Sequence, residues 1–184
     1  MAKVSQIILC GLEEQGIVLA GTILGYAGIN DKKWVAGPSV HGAYARGRDT
    51  QAEVIISDKP IIFPRVIKAD ILIAMSQSVY DKYIRNVDEN GIVIYDEQTV
   101  SIKAINGLKQ TGIPATDIAT KELNNKQVAN MIILGMAVGI TQIVTESALI
   151  SAIEENISER CKALNLEAVK RGFTLGKEAI SNCR

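Results

Sequence analysis

The run Ile7-Ile8-Leu9-Cys10 ends at Gly11, and Gly11-Leu12-Glu13-Glu14-Gln15-Gly16 then leads into small and aliphatic residues that recur at helical spacing. An apolar strand, a glycine turn and a helix, in that order, form the opening unit of a nucleotide-binding α/β fold. Against the fingerprint G-x-G-x-x-G, Gly11 holds the place of the tight-turn glycine and Gly16 that of the glycine on which the helix packs. Glu13 stands at the middle position, where bare backbone must approach a pyrophosphate. Glu14 adds a second carboxylate where a helix N-terminus would otherwise attract phosphate, so the dipole is already complemented by the protein's own charge. The expectation is a strand-turn-helix unit that binds neither NAD nor FAD at this turn, with Glu13 and Glu14 acting as helix-capping carboxylates.

The rest of the chain continues the alternation. Ile17, Ala20, Gly21, Leu24 and Ala27 mark a helix over residues 15–28. Residues 34–36 read as a short second strand that Gly37-Pro38-Ser39 breaks, leaving 39–50 as an irregular loop before a strand at 52–57. A buried strand at 71–75, a helix over 77–87 and a strand at 92–95 entered through Asn90-Gly91 come next. Residues 101–120 read as short extended pieces around Pro114 rather than a helix. The last third is helical: 126–141, then 146–155 after the cap Thr145, then a long helix from Ile157. For that last helix Asn156 and Glu159 have capping-box spacing, and Ile157, Cys161, Leu164, Ala168, Leu175 and Ala179 mark one face. Residues 128–144 approach membrane length, but Asn130, Thr141 and Gln142 interrupt them, which favours a buried helix. The pattern predicts one Rossmann-like α/β domain over 1–184, with a mainly parallel sheet covered by helices and a helical C-terminal third.

Charge and chemistry narrow the function classes. Twenty Lys and Arg balance twenty Asp and Glu, which leaves no overall field to gather nucleic acid or an anionic membrane. Cys10, Cys161 and Cys183 lack C-x-x-C spacing, and the single His41 cannot complete a zinc set with them, so no metal or iron-sulfur cluster is held by this chain alone. Met1-Ala2-Lys3 runs straight into a strand without an apolar signal region, from which a cytoplasmic location is expected. With one histidine and neither a G-x-S-x-G nor a Walker A string, no residue is assigned a catalytic role. Cys10 is either a small buried hydrophobe or a thiol activated at a helix N-terminus. Ser39, His41, Gly42, Arg46, Gly47 and Arg48 form the local concentration of positive charge beside flexible backbone. Its guanidinium groups either hold a phosphate or carboxylate by paired hydrogen bonds or belong to an ordinary solvated or interface loop.

Four stretches, GLEEQGIVLAGTILGYAG from Gly11, PSVHGAYARGRDTQAEVIISDKPIIFP from Pro38, ADILIAMSQ from Ala69 and ANMIILGMAVG from Ala129, resemble the gamma subunit of 2-oxoacid:ferredoxin oxidoreductases. The similarity continues through Leu164-Asn165-Leu166-Glu167-Ala168 and spans nearly the whole chain. The family turn usually reads G-x-G-G-Q-G and the family loop R-G-G; here Glu13 and Glu14 replace the inner glycines, and Arg48 follows Arg46-Gly47. This resemblance implies an accessory subunit of an enzyme that decarboxylates a 2-oxoacid on thiamine diphosphate, passes the acyl group to coenzyme A and sends electrons through iron-sulfur clusters to ferredoxin. It implies alpha, beta and ferredoxin-like delta partners that hold the thiamine and the clusters, with the 39–50 loop facing them and Arg46 holding an anionic group or a partner carboxylate. Two other readings stay open: a stand-alone nucleotide-binding or regulatory α/β protein, and a structural homo-oligomer.

Overall fold

A computed structural model describes residues 4–41 and 49–182. Its centre is a six-stranded sheet in the order β2-β3-β1-β4-β5-β6. β1 (Val4–Leu12) is antiparallel to β3 (Asp49–Ser57) on one side and parallel to β4 (Ala69–Ala74) on the other. β5 (Val87–Asp96) and β6 (Lys109–Ile113) extend the parallel half, and β2 (Trp34–His41) closes the antiparallel edge.

Alternation along the strands separates two cores, because successive side chains point to opposite faces. Ile7 and Leu9 face the larger core with Ile23 and Leu24 of α1 (Ile17–Asn30) and Met131 and Leu134 of α4 (Ala129–Thr141). Ile8 and Cys10 face the smaller one with Val79 and Tyr80 of α2 (Gln77–Tyr83). With both faces covered, the central strands can be apolar throughout. The near-membrane-length run becomes α4, 13 residues long and buried from Ala129 through Gly139. Among the described residues no helix is long and apolar enough to cross a membrane.

Several local expectations are corrected. Gly37-Pro38-Ser39 does not end β2: the strand continues to His41 through a register shift between Ala36 and Ser39, with Gly37 at φ 105°. Asn90-Gly91 likewise lies inside β5, at an irregularity in its pairing with β4. Within 101–120 the extended piece before Pro114 is found as β6, but Pro114 then leads into α3 (Ala115–Lys121), a helix too short for periodicity to reveal. Thr145 does cap α5 (Glu146–Asn156), its hydroxyl accepting from Ala148 N at 3.1 Å. Asn156 caps nothing; it is the last residue of α5, its side chain donates to Ala152 O at 2.9 Å, and α6 (Glu159–Asn182) starts afresh.

The stripe read from the sequence of α6 faces the larger core apart from Cys161: Ile157 and Ala168 are buried, and Leu164, Leu175 and Ala179 pack against that core. Cys161 is exposed, while Ala168, Val169, Gly172, Phe173 and Gly176 are buried. Glycines on α4 and α6 allow the two backbones to touch: a Cβ on Gly135 would stand 2.2 Å from Val169 O, and one on Gly172 2.1 Å from Ile132 O. Close approach of backbones, rather than interlocking of long side chains, sets this helix pair.

Candidate functional site

β1, β4, β5 and β6 run parallel and end at one edge of the sheet. There β1 leads into α1 on the side of the larger core, whereas β4 leads into α2 on the opposite face. Divergence of successive connections leaves a crevice beyond the strand ends, the place where open α/β sheets bind ligands. A cleft of about 460 Å³ occupies it, lined from the first turn by Leu12, Glu14 and Gln15, and from across the crevice by Thr99, Thr116 and Lys126.

The turn itself is closed from within. Glu13–Gln15 form a single 3-10 turn, Gly16 takes a left-handed conformation at φ 67° and ψ 30°, and α1 begins only at Ile17. Glu13 and Glu14 are exposed on that preceding turn and do not cap α1, contrary to the expectation, because the left-handed Gly16 separates them from the helix start. Gln15 fills the cradle: its Oε1 accepts from Leu12 N at 2.6 Å, and its Nε2 donates to Met75 O at 2.7 Å. Leu12 N, a donor that a phosphate would use, is therefore already satisfied. Gly11 lies in β1, and a Cβ there would come within 2.6 Å of Gln15 Oε1. The dinucleotide-binding alternative finds no open backbone cradle here.

Neighbouring strand ends are tied into the same knot. Met75 O also accepts from Thr99 Oγ1 at 2.8 Å, and Met75 N donates to Cys10 O at 2.8 Å. The buried Asp96 carboxylate accepts from Thr116 N at 3.2 Å, from Gln98 N at 3.3 Å and from the Thr116 hydroxyl, holding the start of α3 beside the cleft. From α4, Asn130 donates Nδ2 to Gly16 O at 3.0 Å while being only 2% exposed. Its signal in the sequence is a lone amide within an apolar run; nothing local points to Gly16 as its partner. Gln15 and Gly16 are thus brought together with Met75, Thr99 and Asn130, none of which the sequence had grouped with them.

Of the loop residues, Ser39 and His41 lie in β2, opposite Glu53 and Gln51, while Gly42, Arg46, Gly47 and Arg48 fall outside the described residues. His41 opposite Gln51 and Asp49 opposite Leu12 show that both ends of segment 42–48 meet the sheet at the edge that carries the turn. Asp49 accepts from Ser78 Oγ at 2.6 Å, which fastens the start of β3 to α2.

Cys10 is a buried hydrophobe rather than an activated thiol. Burial pushes its pKa far above the ordinary thiol range, and the charge of Asp49 adds to the rise. Since the folded chain keeps this thiol protonated, its contribution to stability is complete below the unfolded thiol's pKa of about 8.5 and declines as pH rises past it. Mass-mapped alkylation at pH 8.5 should label the exposed Cys161 in the native chain and Cys10 only after denaturation. Native labelling of Cys10 at a comparable rate would contradict its burial.

Around the cleft stand amides, hydroxyls, Glu14 and the Lys126 ammonium, groups that hold and orient; among the described residues its lining contains no histidine or cysteine. Among the described residues no group of three or more His, Cys, Asp or Glu could hold a metal ion.

Residues 6–175 match the family model described as pyruvate ferredoxin/flavodoxin oxidoreductase. The 2-oxoglutarate synthase subunit KorC of Methanocaldococcus jannaschii is 40% identical over 176 residues, 94% of either chain. Ketoisovalerate oxidoreductase subunit VorA of Methanothermobacter marburgensis is 31% identical over 168 residues, which are 89% of this chain and 35% of that longer one. Among solved structures, the gamma subunit of a keto/oxoacid ferredoxin oxidoreductase from Geobacter sulfurreducens superposes with a TM-score of 0.80 at 28% identity, covering 94% of this chain and 98% of that one. The 2-oxoglutarate:ferredoxin oxidoreductase of Magnetococcus marinus, solved with 2-oxoglutarate, coenzyme A and succinyl-CoA bound, shares the fold with a TM-score of 0.82 at 19% identity, over 96% of this chain and 31% of that one.

Proposed function

The chain belongs to the pyruvate ferredoxin/flavodoxin oxidoreductase family as the gamma-type subunit of a 2-oxoacid:ferredoxin oxidoreductase, and on that premise we propose that the enzyme it completes converts 2-oxoglutarate to succinyl-CoA. The observation that carries the choice of substrate is the 40% identity, over 94% of the chain, to a 2-oxoglutarate synthase subunit. On this reading residues 1–184 act as a single gamma-type domain in a cytoplasmic complex with alpha, beta and ferredoxin-like delta subunits, and ferredoxin takes the electrons.

Thiamine diphosphate and iron-sulfur clusters do not fit the residues described. Leu12 N is occupied by Gln15, Glu13 and Glu14 stand exposed where a diphosphate needs bare donors, and the described residues offer no metal-binding group. Those groups are assigned to the partner chains. What this chain contributes is shape and contact. β2 and β3 bring both ends of segment 42–48 to the edge of the cleft, which supports placing the loop with Arg46 against the partners, where its guanidinium holds a partner carboxylate or a phosphate of coenzyme A.

Reconstitution of the chain with its partner subunits tests this reading. With coenzyme A and ferredoxin present, kcat/KM for 2-oxoglutarate should exceed that for pyruvate and for 2-oxoisovalerate by about tenfold or more, roughly 1.4 kcal/mol of transition-state discrimination. The isolated chain should turn over none of them. Preference for either of the other acids would refute the substrate assignment, and turnover by the chain alone would refute the accessory role.

A further inference from the structure

On the sheet face that carries α2, helical cover stops partway. α2 packs over β1, β4 and the start of β3, while residues 60–67 line a hollow against Val4 and Gln6 of β1 and Ile55 and Ser57 of β3. That segment is fastened by its backbone: Lys59 N donates to Ser57 Oγ at 3.1 Å, Val66 N to Glu53 Oε2 at 3.4 Å and Ile67 N to Gln6 Oε1 at 2.8 Å. Its apolar side chains are left facing water, with Ile62 97%, Ile67 70% and Phe63 59% exposed. Beside them lie Val4 and Trp34, 52% and 55% exposed, each paired with Ser57 across adjacent strands and so on one face. Scattered apolar surface residues need no explanation, but five large ones more than half exposed in a single patch mark an interaction surface.

We propose that this patch docks the subunit that, in longer relatives, is continuous with the present region in one polypeptide. The region matching this chain makes up 35% of the VorA subunit at 31% identity, so there the matching region is joined to further chain that makes up the larger part of that polypeptide. Pieces that exist both fused and separate require a surface between them, and this is the face the fold leaves half covered. Lys59 and Lys68 stand exposed around the patch. The complementary face is therefore apolar with carboxylates at its rim. Docking of this kind presupposes the gamma-subunit assignment made above.

The test uses the full chain co-expressed with the other subunits of its enzyme, and reads binding to whichever subunit is similar in sequence to the remaining part of VorA. Ile62→Asp combined with Ile67→Asp should weaken binding to that subunit by about 30-fold or more, leave the melting of the free chain unchanged and remove the protection from hydrogen exchange that residues 58–68 gain on assembly. Lys59→Glu with Lys68→Glu reads the same surface without touching an apolar residue, and should slow association in a salt-dependent way. Assembly of both variants at wild-type affinity would overturn the proposal. So would protection of the patch in a homodimer of the isolated chain, since its occupant would then be a second copy. A wild-type complex active on a 2-oxoacid alongside unaffected variants removes the docking surface alone; a wild-type chain that binds none of the subunits removes the subunit assignment with it.

Discussion

Gly172→Ala is expected to destabilise the chain by about 3 kcal/mol, even though alanine gains roughly 1 kcal/mol over glycine in helix propensity. The added methyl would lie 2.1 Å from Ile132 O and 2.8 Å from Met136 N, both backbone atoms that no rotamer change can move aside. α4 and α6 must then separate over a contact buried in the larger core, which loosens the packing of Val169 and Phe173 as well. At roughly 2–4 °C per kcal/mol for a chain of this size, the melting temperature should fall by about 6–12 °C. Gly25→Ala in α1 is the matched control: the nearest atom to its Cβ is 3.7 Å away, an ordinary contact, so propensity alone acts and the chain should gain about 0.5–1 kcal/mol. Urea unfolding of the two variants decides the matter, and equal effects of the same sign would show that helix contact is not what requires glycine at 172.

Gly16→Ala should cost about 2–5 kcal/mol, for two separable reasons. A non-glycine residue at φ 67° bears about 1–2 kcal/mol of left-handed strain. The new methyl would also stand 2.4 Å from Asn130 Nδ2, forcing the carboxamide off Gly16 O and leaving a buried polar group unpaired for a further 1–3 kcal/mol or so. Asn130→Ala removes the obstruction together with the bond, so in that background Gly16→Ala should cost only the backbone strain. A double-mutant cycle by urea unfolding should therefore show a coupling of about 1–3 kcal/mol. Strict additivity would mean that Asn130 does not hold the turn.

The amide pair at this turn shows where sequence legibility ended. Gln15 was recognisable as the residue left standing where the usual pattern has glycines on either side of it, and Glu13 alone was enough to argue against a pyrophosphate. That Gln15 would reach Met75 O, or that an amide from α4 would grip Gly16 O, was not legible, because those partners are 60 and 114 residues away along the chain.

Local pattern alone determined the elements with a strong period: β1 and its turn, α1, β3, β4 and the helical last third, together with the capping by Thr145. These depend on side-chain alternation, helical spacing and turn chemistry, all of which act over a few residues. Tertiary structure decided the rest. It chose an antiparallel β2 and β3, revealed α3, turned Gly37 and Asn90-Gly91 into irregularities within strands, and added Gly172 and Gly176 to the buried face of α6, where two backbones touch. It also left Ile62, Phe63 and Ile67 in water. The physical reason is common to all of these: a pattern specifies that a residue is buried or that the chain bends, whereas the identity of the atom it meets is settled only when distant segments compete for the same space and the same hydrogen bonds.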